Sequence, residues 1–325
     1  MLSLHTNSAA LSTQNALGNT QKSLNTSLTR LGTGYKVNSA MDDAAGLQIA
    51  TRLDAQTHGM SVAQNNTQNG ISMMQTAEGA FDELTNVLQR MKDLSTQAAD
   101  ASTNSSDKLA LQQEYNALGQ ELGNIMTNTS FGGQQLFTTG TAAATVPGSG
   151  GLLGASLTFQ IGASSAETMT VDTSSTLTSL KTALAAVSNN YLVPADTAGA
   201  AATNPVGVDA TGAFVLADGT TAATTGIELA TGTSANAEID KLNTALNAVG
   251  SIRAQLGASS NRLDHVYNNL GNMITNTSAS RGRIMDVDYA SETSQSTSQQ
   301  LLLQAGTAAL KQSNSLSQLV ISLMQ

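Results

Sequence analysis

Residues 74–98 read MQTAEGAFDELTNVLQRMKDLSTQA. Met74, Ala77, Phe81, Leu84, Leu88, Met91 and Ala98 fall three or four apart, apart from one full-heptad step, so one side of a helix is apolar and the other polar. Working backwards, the pattern reaches Asn38-Ser39-Ala40-Met41-Asp42, where Ser39 and Asp42 have capping-box spacing, so a helix is expected from there to about Ala99. Gly59 and Gly70 weaken it by about 1 kcal/mol each relative to Ala. Forwards, Thr103 to Ser106 reads as a turn and N-cap. Leu111, Tyr115, Leu118, Leu122 and Ile125 then define a second helix, which so short a connection makes antiparallel to the first.

The same period recurs at both ends of the 325-residue chain. Ala10, Leu17, Leu24 and Leu31 stand seven apart, as do Leu242, Val249, Leu256, Leu263 and Leu270. A break is expected at Ser278 to Gly282, followed by a last helix carrying Leu302, Ala309, Leu316 and Leu323. Between these flanks the composition changes. All three prolines, Pro147, Pro194 and Pro205, lie in the middle, and from 138 to 235 there is no Arg and a single Lys, Lys181. Residues 157–162 and 167–172 alternate with period two and predict a hairpin; Ala213 to Ala217 before Asp218-Gly219 predicts another strand and turn. The expected fold is mainly α: a long antiparallel coiled-coil-like helical rod built from both chain ends, with a small β-rich central insert.

Composition narrows the function. With 14 Lys+Arg against 23 Asp+Glu the chain has a net charge of −9, which offers no field for nucleic acid. It has no Cys, so disulfides, thiolate metal sites and a Cys nucleophile are out. His5, His58 and His265 stand apart and form no H-E-x-x-H, and no clustered ligand set or catalytic constellation appears, so neither an enzyme nor a cofactor nor a metal is expected. No 18-residue apolar segment is present, so no membrane insertion is expected, and the first twenty residues lack the pattern of a cleaved signal peptide. Both ends are nearly free of charge: Lys22 alone before Arg30, and Lys311 alone after Glu292. Helix faces of Asn, Gln, Ser and Thr without charges are unusual for a free surface and point to burial against other copies of the chain.

Longer motifs carry a resemblance. Leu31 to Gly46 (LGTGYKVNSAMDDAAG), Ala77 to Phe81 and Leu88 to Leu94 resemble the N-terminal signature of bacterial flagellin. Leu270 to Asn272, Arg283 to Ala290 and Gln304 to Thr307 resemble its C-terminal signature. Met1 to Asn7 is more similar to lateral, swarming flagellins than to polar ones. The resemblance implies a structural subunit that polymerises into the flagellar filament, for swimming or swarming motility. The alternatives are a hook–filament junction protein, or a flagellin-like chain with an enzymatic insert, although 176–235 contains no His. It implies terminal coiled-coil arms at 1–43 and 284–325 forming an inner tube. A helical rod domain with a hairpin follows at 44–175 and 236–283, and an outward variable insert at 176–235. The assembly seam is expected at Ala10, Leu17, Leu24, Leu31, Leu302, Ala309, Leu316 and Leu323. Partners implied are the chain itself, an export chaperone at the C-terminal arm, filament cap and hook-junction proteins, and Toll-like receptor 5. Residues matching the receptor site are Gln89, Arg90, Leu94, Gln97 and Glu114. Type III export without a cleaved signal and an extracellular location in the flagellar filament complete what the resemblance implies.

Overall fold

The computed structural model describes residues 8–137, 151–188, 207–208, 214–215 and 228–323. Helices dominate: α1 (Ser8–Thr33), α2 (Ala44–Ala99), α3 (Ser105–Asn128), α4 (Ser174–Val187), α5 (Gly232–Met285) and α6 (Tyr289–Leu323). Three two-stranded antiparallel sheets accompany them: β1 (Ser130–Phe131) with β2 (Gln134–Gln135), β3 (Ser156–Gln160) with β4 (Thr168–Asp172), and β5 (Gly207–Val208) with β6 (Phe214–Val215). The β3–β4 hairpin pairs Leu157 with Val171 and Phe159 with Met169, in agreement with the alternation read from the sequence. The Asp218-Gly219 turn lies outside the described residues.

Local chemistry sets the helix boundaries. Helix α2 starts at Ala44 rather than beside Ser39, because Asp43 is its cap: Asp43 Oδ1 accepts from Gly46 N at 2.9 Å. Ser39 and Asp42 close a turn ahead of it instead, with Asp42 Oδ2 accepting from the backbone N–H groups of Ser39 and Asn38. Those two donors lower the Asp42 pKa below the usual carboxylate value. Asn104 caps α3 through Asp107 N at 2.8 Å. The break expected at Ser278 to Gly282 is absent; α5 runs through to Met285, with the Ser280 hydroxyl bonded back to Asn276 O. The chain turns at Asp286 to Asp288 instead.

Contacts divide the chain into two units, Met1–Gly59 with Asn272–Gln325, and Met60–Gly271. The first therefore takes in the first turns of α2 and the end of α5, which were expected in the rod. The Arg281–Asp54 ion pair ties those two stretches to each other, and an antiparallel bridge, Tyr35 to Asp286, joins the segments that link them to α1 and α6. Gly34 makes the bridge possible. It takes a left-handed φ of 76°, and a Cβ there would meet the Tyr289 hydroxyl at 2.8 Å.

The second unit holds the large core. Met74, Ala77, Phe81, Leu84, Leu88, Met91 and Ala98 from α2 are all buried in it, with Leu242, Val249, Leu256 and Leu263 from α5. Arg253 reaches from α5 to Glu78 at 2.8 Å and Asp82 at 3.3 Å on α2. Helix α4 belongs to this core: Leu177, Leu180, Leu184 and Val187 are buried there. Twelve residues of the segment expected as the outward insert, 176–187, thus form most of an amphipathic helix whose apolar face packs into this core. Among the described residues the first unit buries only Leu24, Val37 and Ala50 as apolar groups.

Candidate functional site

In the first unit α1 and α6 pack along their lengths, antiparallel. Tyr35 lies opposite Asp286, Arg30 Nη1 is 3.9 Å from Glu292, and Leu17 packs on Gly306, where a Cβ would come within 3.1 Å of Leu17 Cδ1. On α1 the shielded positions are Ala10, Thr13, Leu17, Thr20, Leu24, Ser27, Arg30 and Leu31. The line of Ala10, Leu17, Leu24 and Leu31 thus faces α6.

On α6 the structure selects a different line from the expected one. The shielded positions are Glu292, Ser296, Gln299, Leu303, Gly306, Leu310 and Ser313. Leu302 is 58% exposed and Ala309 is also exposed, so both lie off the intramolecular seam; Leu316 and Leu323 have side chains outside the described set. Leu303 and Leu310 do the packing that the sequence reading gave to Leu302 and Ala309. The run Leu301-Leu302-Leu303 offers several registers with the same seven-residue period. The selected register is the one that places Gly306 against Leu17 of α1.

This seam is weak. Ser27, Ser296 and Gln299 are buried in it, and Gln299 Oε1 and Arg30 Nε are buried without a hydrogen-bond partner. Polar residues at such positions fix register at a cost in stability. Meanwhile Leu301 and Leu302, 61% and 58% exposed, face outward with Ala305 and Ala309. Among the described side chains of α6, Leu303 and Leu310 face its own chain, while Leu301, Leu302, Ala305 and Ala309 face water.

The second constellation lies in the second unit. The Arg90 guanidinium donates to Glu114 Oε1 through Nε at 2.8 Å and lies 2.6 Å from it through Nη2, joining α2 to α3 at the surface. Gln89 and Gln97 are exposed beside them. Leu94 is not: at 1% exposure it is a core residue, because it falls on the same stripe as Leu84, Leu88 and Met91, and it is removed from the accessible set. Next to Glu114, Tyr115 is fully buried, its hydroxyl 2.9 Å from Val187 O and 3.3 Å from Glu238. Burial, then the Glu238 and Glu228 charges, push the Tyr115 pKa upward, and burial pushes Glu238 upward against the opposing effect of Lys241. Gln112 donates to Glu228 at 2.7 Å and accepts from Leu229 N at 2.6 Å. This polar network was not read from the sequence, since its members are distant in the chain.

Among the described residues no group of acidic and His side chains could hold a metal, and no helix is long and apolar enough to cross a membrane.

Comparison with known proteins decides what such a chain is. Residues 4–142 match the family described as the bacterial flagellin N-terminal helical region, and residues 239–324 match the bacterial flagellin C-terminal helical region. The chain belongs to the bacterial flagellin family. Polar flagellin F of Vibrio parahaemolyticus is 33% identical over 99% of both chains, and flagellin A of Vibrio anguillarum is 35% identical over the whole of both. A crystal structure of Bacillus cereus flagellin is 28% identical, covering 63% of this chain and 88% of that one with a TM-score of 0.42. As a flagellin this chain is a structural subunit, one that polymerises with copies of itself into a flagellar filament. Its two matched regions are the two helical flanks, and the segment left unmatched, 143–238, contains all three prolines.

Proposed function

We propose that α6 joins neighbouring subunits through the heptad line of Leu302, Ala309, Leu316 and Leu323, of which Leu302 and Ala309 are exposed, while Ala10, Leu17, Leu24 and Leu31 hold α1 against α6 within one chain. What supports this is the exposure of Leu301 and Leu302 on a helix whose inward face mixes Leu303 and Leu310 with Ser296, Gln299 and Ser313. Burying one leucine contributes roughly 1.5–3 kcal/mol, whereas ordering each residue costs about 1–2 kcal/mol of backbone entropy. One intramolecular seam of so few leucines leaves the terminal helices marginal; contact with several copies stabilises them in a concentration-dependent way. Uncharged Asn, Gln, Ser and Thr on the remaining faces allow that burial without stripping water from charges. Removing Ser315 to Gln325 should abolish polymerisation and leave the cooperative melting of the second unit unchanged. Normal filaments from the truncated chain would contradict the seam.

The finer setting follows from the same reading. The chain leaves the cell by flagellar export without a cleaved signal and works outside it. The export chaperone holds the C-terminal arm, whose outward leucines need cover before assembly, and cap and hook-junction proteins meet the growing filament. No catalytic role is proposed. The exposed surface of Gln89, Arg90, Gln97 and Glu114, braced by buried Leu94, is the recognition surface for Toll-like receptor 5. Its support is the Arg90–Glu114 pair, which fixes two helices into one face. Arg90→Ala should weaken receptor stimulation by the monomer, and intact filaments should stimulate less than monomer. Equal potency of undissociated filaments would count against it.

A further inference from the structure

Met41 is the most exposed large apolar side chain among the described residues, with 97% of its surface open. Its loop is braced. Asp42 Oδ2 accepts from Asn38 N at 3.1 Å, from Ser39 N at 2.9 Å and from the Ser39 hydroxyl at 3.1 Å, and the Asp43 cap begins α2 two residues after Met41. The backbone is fixed on both sides, and the methionine projects into water, contributing nothing to its own fold.

In the same unit a cleft of about 230 Å³ opens between Tyr35, Leu47, Ala50 and Met285, with the Arg281–Asp54 pair in its wall. That is below the roughly 300–1,000 Å³ of small-molecule sites. It suits one flexible, unbranched side chain, and the chain's own Met41 does not fill it. Arg281 remains 38% exposed beside Asp54, leaving guanidinium donors for the two carboxylates, Asp42 and Asp43, that follow the methionine.

We propose that Met41 of one subunit inserts into this cleft on a second copy, a contact that rests on the polymerisation described above and adds to it a second, separate joint. A knob and a hole at different places on one chain make a heterologous contact, which repeats as an open helix when its rotation does not close a ring. That is the geometry a filament requires. The apolar knob supplies attraction, and the flanking aspartates set its direction of entry toward Arg281.

The absence of cysteine makes the test clean. Chains carrying Met41→Cys and chains carrying Thr51→Cys, a position on the cleft wall, are mixed, polymerised and treated with a short bismaleimide. Cross-linked dimers of the two species should form in filaments and not in unpolymerised solution, and chains with either substitution alone should not cross-link. In parallel, Met41→Gln should raise the critical concentration for polymerisation about tenfold with an unchanged thermal melt. Filaments that form normally yet give no Met41→Cys to Thr51→Cys product overturn this contact and leave the filament reading standing. A wild-type chain that never polymerises overturns both.

Discussion

Gly70 shows how one residue can be read correctly in kind and wrongly in purpose. From sequence it is a weak point of a helix, worth about 1 kcal/mol relative to Ala. In the structure a Cβ there would lie 3.0 Å from the Phe159 ring and 3.3 Å from Leu263, so the glycine is the seat of the β3–β4 hairpin on α2. Gly70→Ala should therefore destabilise the second unit despite its helix propensity, since overpacking costs about 1–3 kcal/mol; a thermal melt decides the sign. Tyr115 was read as one of several apolar positions on α3, but its hydroxyl serves Val187 O at the base of the insert. Tyr115→Phe should cost about 1–3 kcal/mol by leaving that buried carbonyl unpaired. Glu238 adds a pH dependence. Burial raises its folded-state pKa above the ordinary 4.5 of a glutamate, so its contribution to stability is full below about that pH and is lost as pH rises through the raised value. Glu238→Gln should flatten the melting temperature of the second unit against pH over that window, as followed by circular dichroism.

At the scale of elements, periodicity located the long helices and missed only the face that α6 turns to its own chain. The stripe from Met74 to Ala98 and the line from Leu242 to Leu270 are core lines in fact, because a large core rewards one register far above its neighbours. On α6 the three leucines 301–303 make adjacent registers nearly equivalent, and close approach at Gly306 decides between them. That approach depends on two distant segments and leaves no local signature. Of the uncharged polar residues at the ends, Ser27, Ser296 and Gln299 are buried within the chain, while most of the other described ones are exposed. The same logic explains α4: flanked by Gly- and Thr-rich tracts, its four apolar residues look like insert until the core that needs them is in view. Of the five residues matched to the receptor site by resemblance, Gln89, Arg90, Gln97 and Glu114 are exposed and Leu94 is buried, its position on a core stripe already visible in the quoted sequence. An apolar residue in such a motif braces the surface.

For the molecule as a whole, the contrast between its two units is the functional fact. One unit buries a large apolar cluster; the other, built from both chain ends, buries three apolar side chains among the described residues. Brief proteolysis of the monomer should therefore trim both termini and leave a core within 60–271, since local opening follows the scarcity of buried contacts. Resistance of the termini in the monomer would mean that α1 and α6 are stable without neighbours. The central claim is that the outward leucines of α6 join subunits and do not hold the chain together. The critical concentration for polymerisation of Leu302→Gln, measured by sedimentation beside wild type, tests it most directly. Losing a leucine contact worth roughly 1.5–3 kcal/mol should raise that concentration about ten- to a hundredfold, with the monomer's melt unchanged. An unaltered critical concentration, or a monomer that melts earlier, would contradict the account.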